Sequence, residues 1–148
     1  MLPIKVATAS LNQTPLDWAG NQARIEAAIR AARAQEVSLL VLPELCTTGY
    51  GCEDAFLGPD VANRAWAMLM ALLPQTNGMV LSVGMPVRRR GGLYNTACVV
   101  ADGRISSARI SLSRAGSPAS LPRSTSPGKA FTTSRAGSSR GRTTRSSS

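Results

Sequence analysis

Histidine is missing from all 148 residues, and the three cysteines, at positions 46, 52 and 98, include no Cys-x-x-Cys pair. A zinc site therefore lacks its usual ligands, and the odd thiol count argues against a disulfide framework. No apolar run reaches the length that spans a bilayer, and Met1-Leu2-Pro3-Ile4-Lys5 passes straight into strand-like sequence without the apolar core of a signal peptide. A cytoplasmic, soluble protein with no membrane partner is the expectation.

Acidic residues are absent from one part of the chain. Residues 106–148 hold eight basic residues and no Asp or Glu, whereas residues 1–105 set nine Lys and Arg against eight Asp and Glu. The net charge of +9 and the pI of about 11.0 thus belong almost entirely to the C-terminal segment. A cationic tail binds phosphates in a salt-dependent way that ignores sequence. Phe131 is its one aromatic residue, so it has no stacking platform, and nucleic acid is expected only as a non-specific partner of the tail. From Ser106 onward Ser, Arg, Gly, Pro and Thr dominate, and Ile110, Leu112, Leu121 and Phe131 are too isolated to define an apolar face. Such a segment buries too little apolar area to offset its ordering entropy, so residues 106–148 are expected to be disordered or weakly ordered.

What precedes the tail is patterned as one domain of the α/β class, in the order βαβαββ. A first strand is expected over residues 4–11, ended by turn residues 12–15. The following helix has Asp17 as its cap, with Trp18, Ile25, Ile29 and Ala32 on one face and Arg24, Glu26, Arg30 and Arg33 on the other. A second strand spans residues 37–42. Asp60 then opens a helix with the apolar stripe Val61, Ala65, Met68, Leu69 and Leu72, which Pro74 ends. Residues 79–87 and 93–101 read as an antiparallel hairpin turning at 88–92, and Asp102-Gly103 is a tight turn into a fifth strand that barely begins at Arg104-Ile105. Trp18 and Trp66 are expected to be helix packing residues rather than a ligand cage, and Cys46 and Cys98 to be small core residues.

The second strand runs into Pro43-Glu44 and then a glycine-rich acidic loop, Thr47-Thr48-Gly49-Tyr50-Gly51-Cys52-Glu53-Asp54. Proline cannot continue a central ladder, so the chain leaves the sheet there and holds Glu44 at a strand end, where α/β sheets bind ligands. With Gly84-Met85-Pro86 and Leu93-Tyr94-Asn95-Thr96-Ala97 further on, this pattern resembles the carbon–nitrogen hydrolase, or nitrilase, superfamily. It is similar in particular to the glutaminase domains at the N-terminus of glutamine-dependent NAD synthetases. The resemblance spans roughly residues 4–105.

The resemblance implies an α-β-β-α sandwich, of which residues 1–105 are the N-terminal part, and a Glu, Lys and Cys trio that hydrolyses a carboxamide. The carboxylate takes the thiol proton, the thiolate attacks the amide carbon, and the ammonium stabilises the oxyanion. Glu44 matches the base, and Tyr50 matches a residue of the substrate loop. The implied substrate is glutamine, and the intact enzymes are homo-oligomers. ATP and Mg would serve the separate synthetase domain, so no cofactor is expected on these residues. Cys52-Glu53-Asp54 repeats the wording of the superfamily's nucleophile motif, but that motif lies on a much later strand, so Cys52 is read as a loop-packing residue. The family's lysine follows the Asp-Gly turn, and residues 104–114 contain none. Lys5 and Lys129 are the chain's two lysines. A reading-frame slip near Ile105 or Ser106 would explain both the missing lysine and the change of composition. A fragment of another amidase or nitrilase, or a basic nucleic-acid-binding protein, are the alternative readings. With the second sheet missing, the chain is expected to fold poorly and expose apolar edges.

Overall fold

The computed structural model describes residues 4–114 and 131–135. Its centre is a six-stranded sheet of β1 (Lys5–Ala9), β2 (Leu39–Val41), β3 (Val80–Arg89), β4 (Gly92–Ala101), β5 (Arg104–Arg114) and β6 (Phe131–Arg135), in the spatial order β5-β4-β3-β2-β1-β6. β1, β2 and β3 run parallel, with Ala7 opposite Leu40 and Leu40 opposite Leu81. β3, β4 and β5 form an antiparallel meander, and β6 lies antiparallel to β1. Helices α1 (Trp18–Ala34) and α2 (Pro59–Leu72) are the crossovers between the parallel strands. The α/β class and the helix positions agree with the sequence reading.

Period-two alternation decides which residues of the sheet meet the helices. Leu81, Val83 and Met85 of β3 and Cys98 and Val100 of β4 are 0% exposed and join Ile25, Ile29, Leu69 and Leu72 in one core. Each large aliphatic side chain buried in this way contributes about 1.5–3 kcal/mol. All five residues of the expected α2 stripe are buried, and all but Val61 belong to that core. Trp66 is the exception to the expected packing: it sits on the outer side of α2 and is 41% exposed. Trp18 does pack against the core, with the Arg64 guanidinium 5.9 Å from its ring centre.

α1 starts where the Asp17 side chain accepts from the Gly20 N–H at 3.0 Å. That bond, together with Arg24, holds the Asp17 carboxyl below the ordinary aspartate range. A lowered folded-state value means the cap's contribution is present at neutral pH and is lost as the pH falls through that value. Asp17→Asn keeps an acceptor but loses the charge, so the acid-side loss of helicity, read by circular dichroism below about pH 4, should flatten in that variant.

Two segments of the region expected to be disordered or weakly ordered are strands. β5 continues nine residues beyond Ile105 to Arg114, and Phe131–Arg135 forms β6 against β1. An edge strand gains its backbone hydrogen bonds from its neighbour whatever its side chains are, and Ala108, Ile110 and Leu112 do alternate with polar residues. The expectation for residues 115–130 and 136–148 lies outside the described residues. No helix among the described residues is long and apolar enough to cross a membrane.

Candidate active site

Glu44 lies just past the C-terminal end of β2, and a close crossing of two backbones holds it there. A side chain on Gly84 of β3 would overlap the Pro43 carbonyl oxygen and place its first carbon 2.6 Å from the Glu44 Cα and 2.8 Å from the Leu45 nitrogen. Only glycine lets the chain turn across β3 at this height. The next residue, Leu45, takes a positive φ of 49°. This left-handed backbone costs a non-glycine residue roughly 1–2 kcal/mol. The turn is closed by the N–H groups of Thr48 and Gly49, which both donate to the Leu45 carbonyl, at 3.1 and 2.8 Å.

The Glu44 carboxylate is gripped on both oxygens. Asn95 of β4 donates its Nδ2 to Oε1, and the Tyr50 hydroxyl donates to Oε2 at 3.3 Å. Glu44 and Tyr50 are exposed while Asn95 is 6% exposed, so the acceptor faces outward from a buried support. A carboxylate offers about four lone-pair positions, so each oxygen keeps one for a further donor. Burial first, and then the Glu44 charge and hydrogen bond, raise the Tyr50 phenol above its ordinary value. Glu44→Gln removes the charge, so the Tyr50 titration midpoint, read by phenolate absorbance in a Tyr94→Phe background, should fall.

None of the three cysteines is a hydrogen-bond partner of Glu44. Cys46 donates to the Gly84 carbonyl at 3.4 Å, Cys52 to the Thr48 and Gly49 carbonyls at 3.5 Å each, and Cys98 pairs with the Thr96 hydroxyl at 3.8 Å. Burial raises all three thiols, Cys46 to about 12. An activated nucleophile needs the opposite shift, so each is a packing residue here, as expected for Cys52, Cys46 and Cys98. Lys5 is the one lysine among the described residues. It opens β1 at the far end of the parallel strands from Glu44, and its Nζ donates to the Gln35 carbonyl at 2.5 Å. β5 supplies no lysine, and Arg109 stands opposite Ala97 in its backbone register.

The loop after Glu44 is held from the start of α1. Asn21, fully buried, accepts from the Thr14 N–H at 3.0 Å and from Arg24 at 2.7 Å, and donates to the Thr14 and Thr47 carbonyls at 2.8 and 3.3 Å. Arg24, expected on the face of α1 away from the apolar stripe, ties together Gln13, Asp17 and Asn21. Asn95 and Asn21 carry no role in the sequence reading, although Asn95 stands inside the run 93–97 that the resemblance used. Two shallow grooves of about 300 and 280 Å³ flank α2, lined in part by Trp18 and by Trp66, and neither includes Glu44, Tyr50 or Asn95. Among the described residues no three His, Cys, Asp or Glu side chains group as metal ligands.

Residues 5–115 match the carbon-nitrogen hydrolase family, and the chain belongs to it. Within that family it is homologous to the glutaminase domain of glutamine-dependent NAD synthetases. The glutamine-dependent NAD(+) synthetase of Saccharomyces cerevisiae is 41% identical over 104 residues, which are 69% of this chain and 15% of that protein. The crystal structure of a glutamine-dependent NAD(+) synthetase from Cytophaga hutchinsonii superposes with a TM-score of 0.70 at 39% identity, over 72% of this chain and 18% of that one. An amidase from Nesterenkonia sp., at a TM-score of 0.66 and 20% identity over 77% of this chain and 44% of that one, shares the fold. The chain spans about 15% of the length of the curated relatives it matches.

Proposed function

We propose that the chain is the N-terminal part of a glutaminase domain of the NAD synthetase type, which keeps its general base, Glu44, and has lost its chemistry. The observation that carries this reading is the Glu44 seat. Its carboxylate is outward-facing, doubly held by neutral donors, and open to a third. A neutral donor pair orients a carboxylate without neutralising it, which suits proton transfer from a thiol. In the intact reaction the base would take that proton, the thiolate would add to the glutamine carboxamide, the proton would pass to the nitrogen as the C–N bond breaks, and water would hydrolyse the remaining thioester to glutamate, while the ammonia released would amidate nicotinate adenine dinucleotide at an ATP- and Mg-dependent synthetase domain. Here the strand that follows the Asp102-Gly103 turn brings arginine and serine in place of lysine, and the thiols are raised rather than activated. Arg109 is no stand-in, because a planar guanidinium differs in shape and hydration from an ammonium.

The purified 148-residue chain is expected to release no ammonia from glutamine above background. Release that disappears in Glu44→Gln would overturn the loss of chemistry. We further propose that a frame slip replaced the matching sequence near residue 105. The nucleotide sequence decides this: an alternative frame after codon 105 should encode a lysine-bearing strand and a later cysteine motif. The frame-restored protein should hydrolyse glutamine and lose that activity with Glu44→Gln, and retained activity would sink the base assignment. The identity to NAD synthetases at about 40%, against 20% to the amidase, favours the synthetase type over another carbon–nitrogen hydrolase.

A further inference from the structure

Three consecutive carbonyls of the loop that carries Glu44 are each held by a donor from the segment that opens α1. The Gln13 amide donates to the Cys46 carbonyl, the Asn21 amide to that of Thr47, and the Leu16 N–H to that of Thr48 at 2.8 Å. Gly49 completes the contact. At a φ of 76° it lies so close that an added side-chain carbon would sit 2.9 Å from the Thr14 carbonyl and the Pro15 nitrogen. Glu44 is thus suspended between two fixed points, Pro43 against Gly84 on one side and the clamped carbonyls of residues 46–48 on the other. Tyr50, its hydrogen-bond partner, comes two residues beyond the clamp.

Asn21 is the centre of this arrangement. It lies in the opening turns of α1, where asparagine is a poorer helix former than alanine, and a buried amide is unfavourable unless its hydrogen bonds are met. All are met, by Thr14, Thr47 and Arg24. Arg24 also donates to the Gln13 oxygen at 2.8 Å and bridges to Asp17 at 3.0 Å, so the two clamping amides share one guanidinium that fixes which way each points. A helix needing only a cap has one in Asp17 already.

We propose that Asn21 is a positioning residue for the base: with Gln13 and Arg24 it forms a latch whose grip on the Cys46 and Thr47 carbonyls sets where the Glu44 carboxylate lies. This rests on the reading of Glu44 as the base, but its test does not need catalysis. Tyr50 reports the position of Glu44, because the neighbouring charge raises its phenol. In the full chain with Tyr94→Phe, Asn21→Asp keeps the side-chain volume but turns the two donated hydrogen bonds into repulsions. Gln13→Ala cuts the Cys46 bond at a half-buried site and provides the second variant should the first not fold.

Each should lower the Tyr50 midpoint by most of the shift that Glu44→Gln produces, and adding Glu44→Gln to either should lower it little further. Ile25→Val, which loosens α1 in the core without touching the latch, should leave the midpoint in place. An unchanged midpoint in folded Gln13→Ala, with Glu44→Gln still effective, overturns the latch. So does an equal shift in Ile25→Val, which would make the effect one of general loosening. Failure of the base assignment would instead appear as glutamine hydrolysis that survives Glu44→Gln in the frame-restored protein.

Discussion

Gly84→Val should unfold the region around Glu44 and lower stability by about 3 kcal/mol or more, read as a shifted denaturant midpoint. The crossing at this position is backbone on backbone. Atoms at the end of a flexible side chain can swing away from an added methyl group, whereas the Pro43 carbonyl, the Glu44 Cα and the Leu45 nitrogen are tied to β2 and to a turn already at positive φ. Moving them also pulls the Gly84 carbonyl from the Cys46 thiol it accepts. Gly84→Ala should show the same direction with a smaller loss, and both should abolish the Glu44 effect on the Tyr50 titration. A Gly84→Val protein as stable as the parent would mean that residues 43–45 do not cross β3 as described.

Thiol labelling offers the second large effect. A shift of the Cys46 thiol from 9.0 to about 12 reduces its thiolate population at pH 8 by about a thousandfold, since each unit is tenfold. Burial adds a steric barrier, so native Cys46 should react with an aromatic disulfide reagent at least that much more slowly than in the unfolded chain. Cys52 and Cys98 are shifted in the same direction and should be protected as well, though less than Cys46. All three should label quickly in denaturant. Rapid, stoichiometric labelling of Cys52 in the folded protein would revive it as a nucleophile and contradict its burial under the loop.

Local patterns carried the parts of this fold that were readable in advance. The five-residue stripe of α2, the Asp17 cap, the β3–β4 hairpin and the Asp102-Gly103 turn all rest on residues close in sequence. The position of Glu44 was readable too, because Pro43 ends a strand whatever lies around it. The supports of Glu44 were not. Asn95 lies fifty-one residues away from it, and Asn21 reaches Thr47 across twenty-six, separations at which a single sequence carries no periodic signal. Arg24 misled for the same reason, since a guanidinium at helical spacing on the polar face looks solvated until its partners are placed. Trp66 shows the converse, because size and hydrophobicity favour burial yet the helix turns this indole outward. β6 is a pairing of distant segments in which Phe131 meets Ala9 and Arg135 meets Lys5, and nothing in its composition marks it.

The latch, the Gly84 crossing and Asn95 have a consequence for the order in which the chain is made. Every group that holds Glu44 falls between Gln13 and Asn95, a single uninterrupted stretch. Because synthesis proceeds from the N-terminus at about 5–20 residues per second, that stretch is polymerised before the residues beyond Ile105. Among the described residues, the seat of the carboxylate takes no group from the residues beyond Ile105. A change of sequence beyond residue 105 therefore leaves every one of these supports of Glu44 in place.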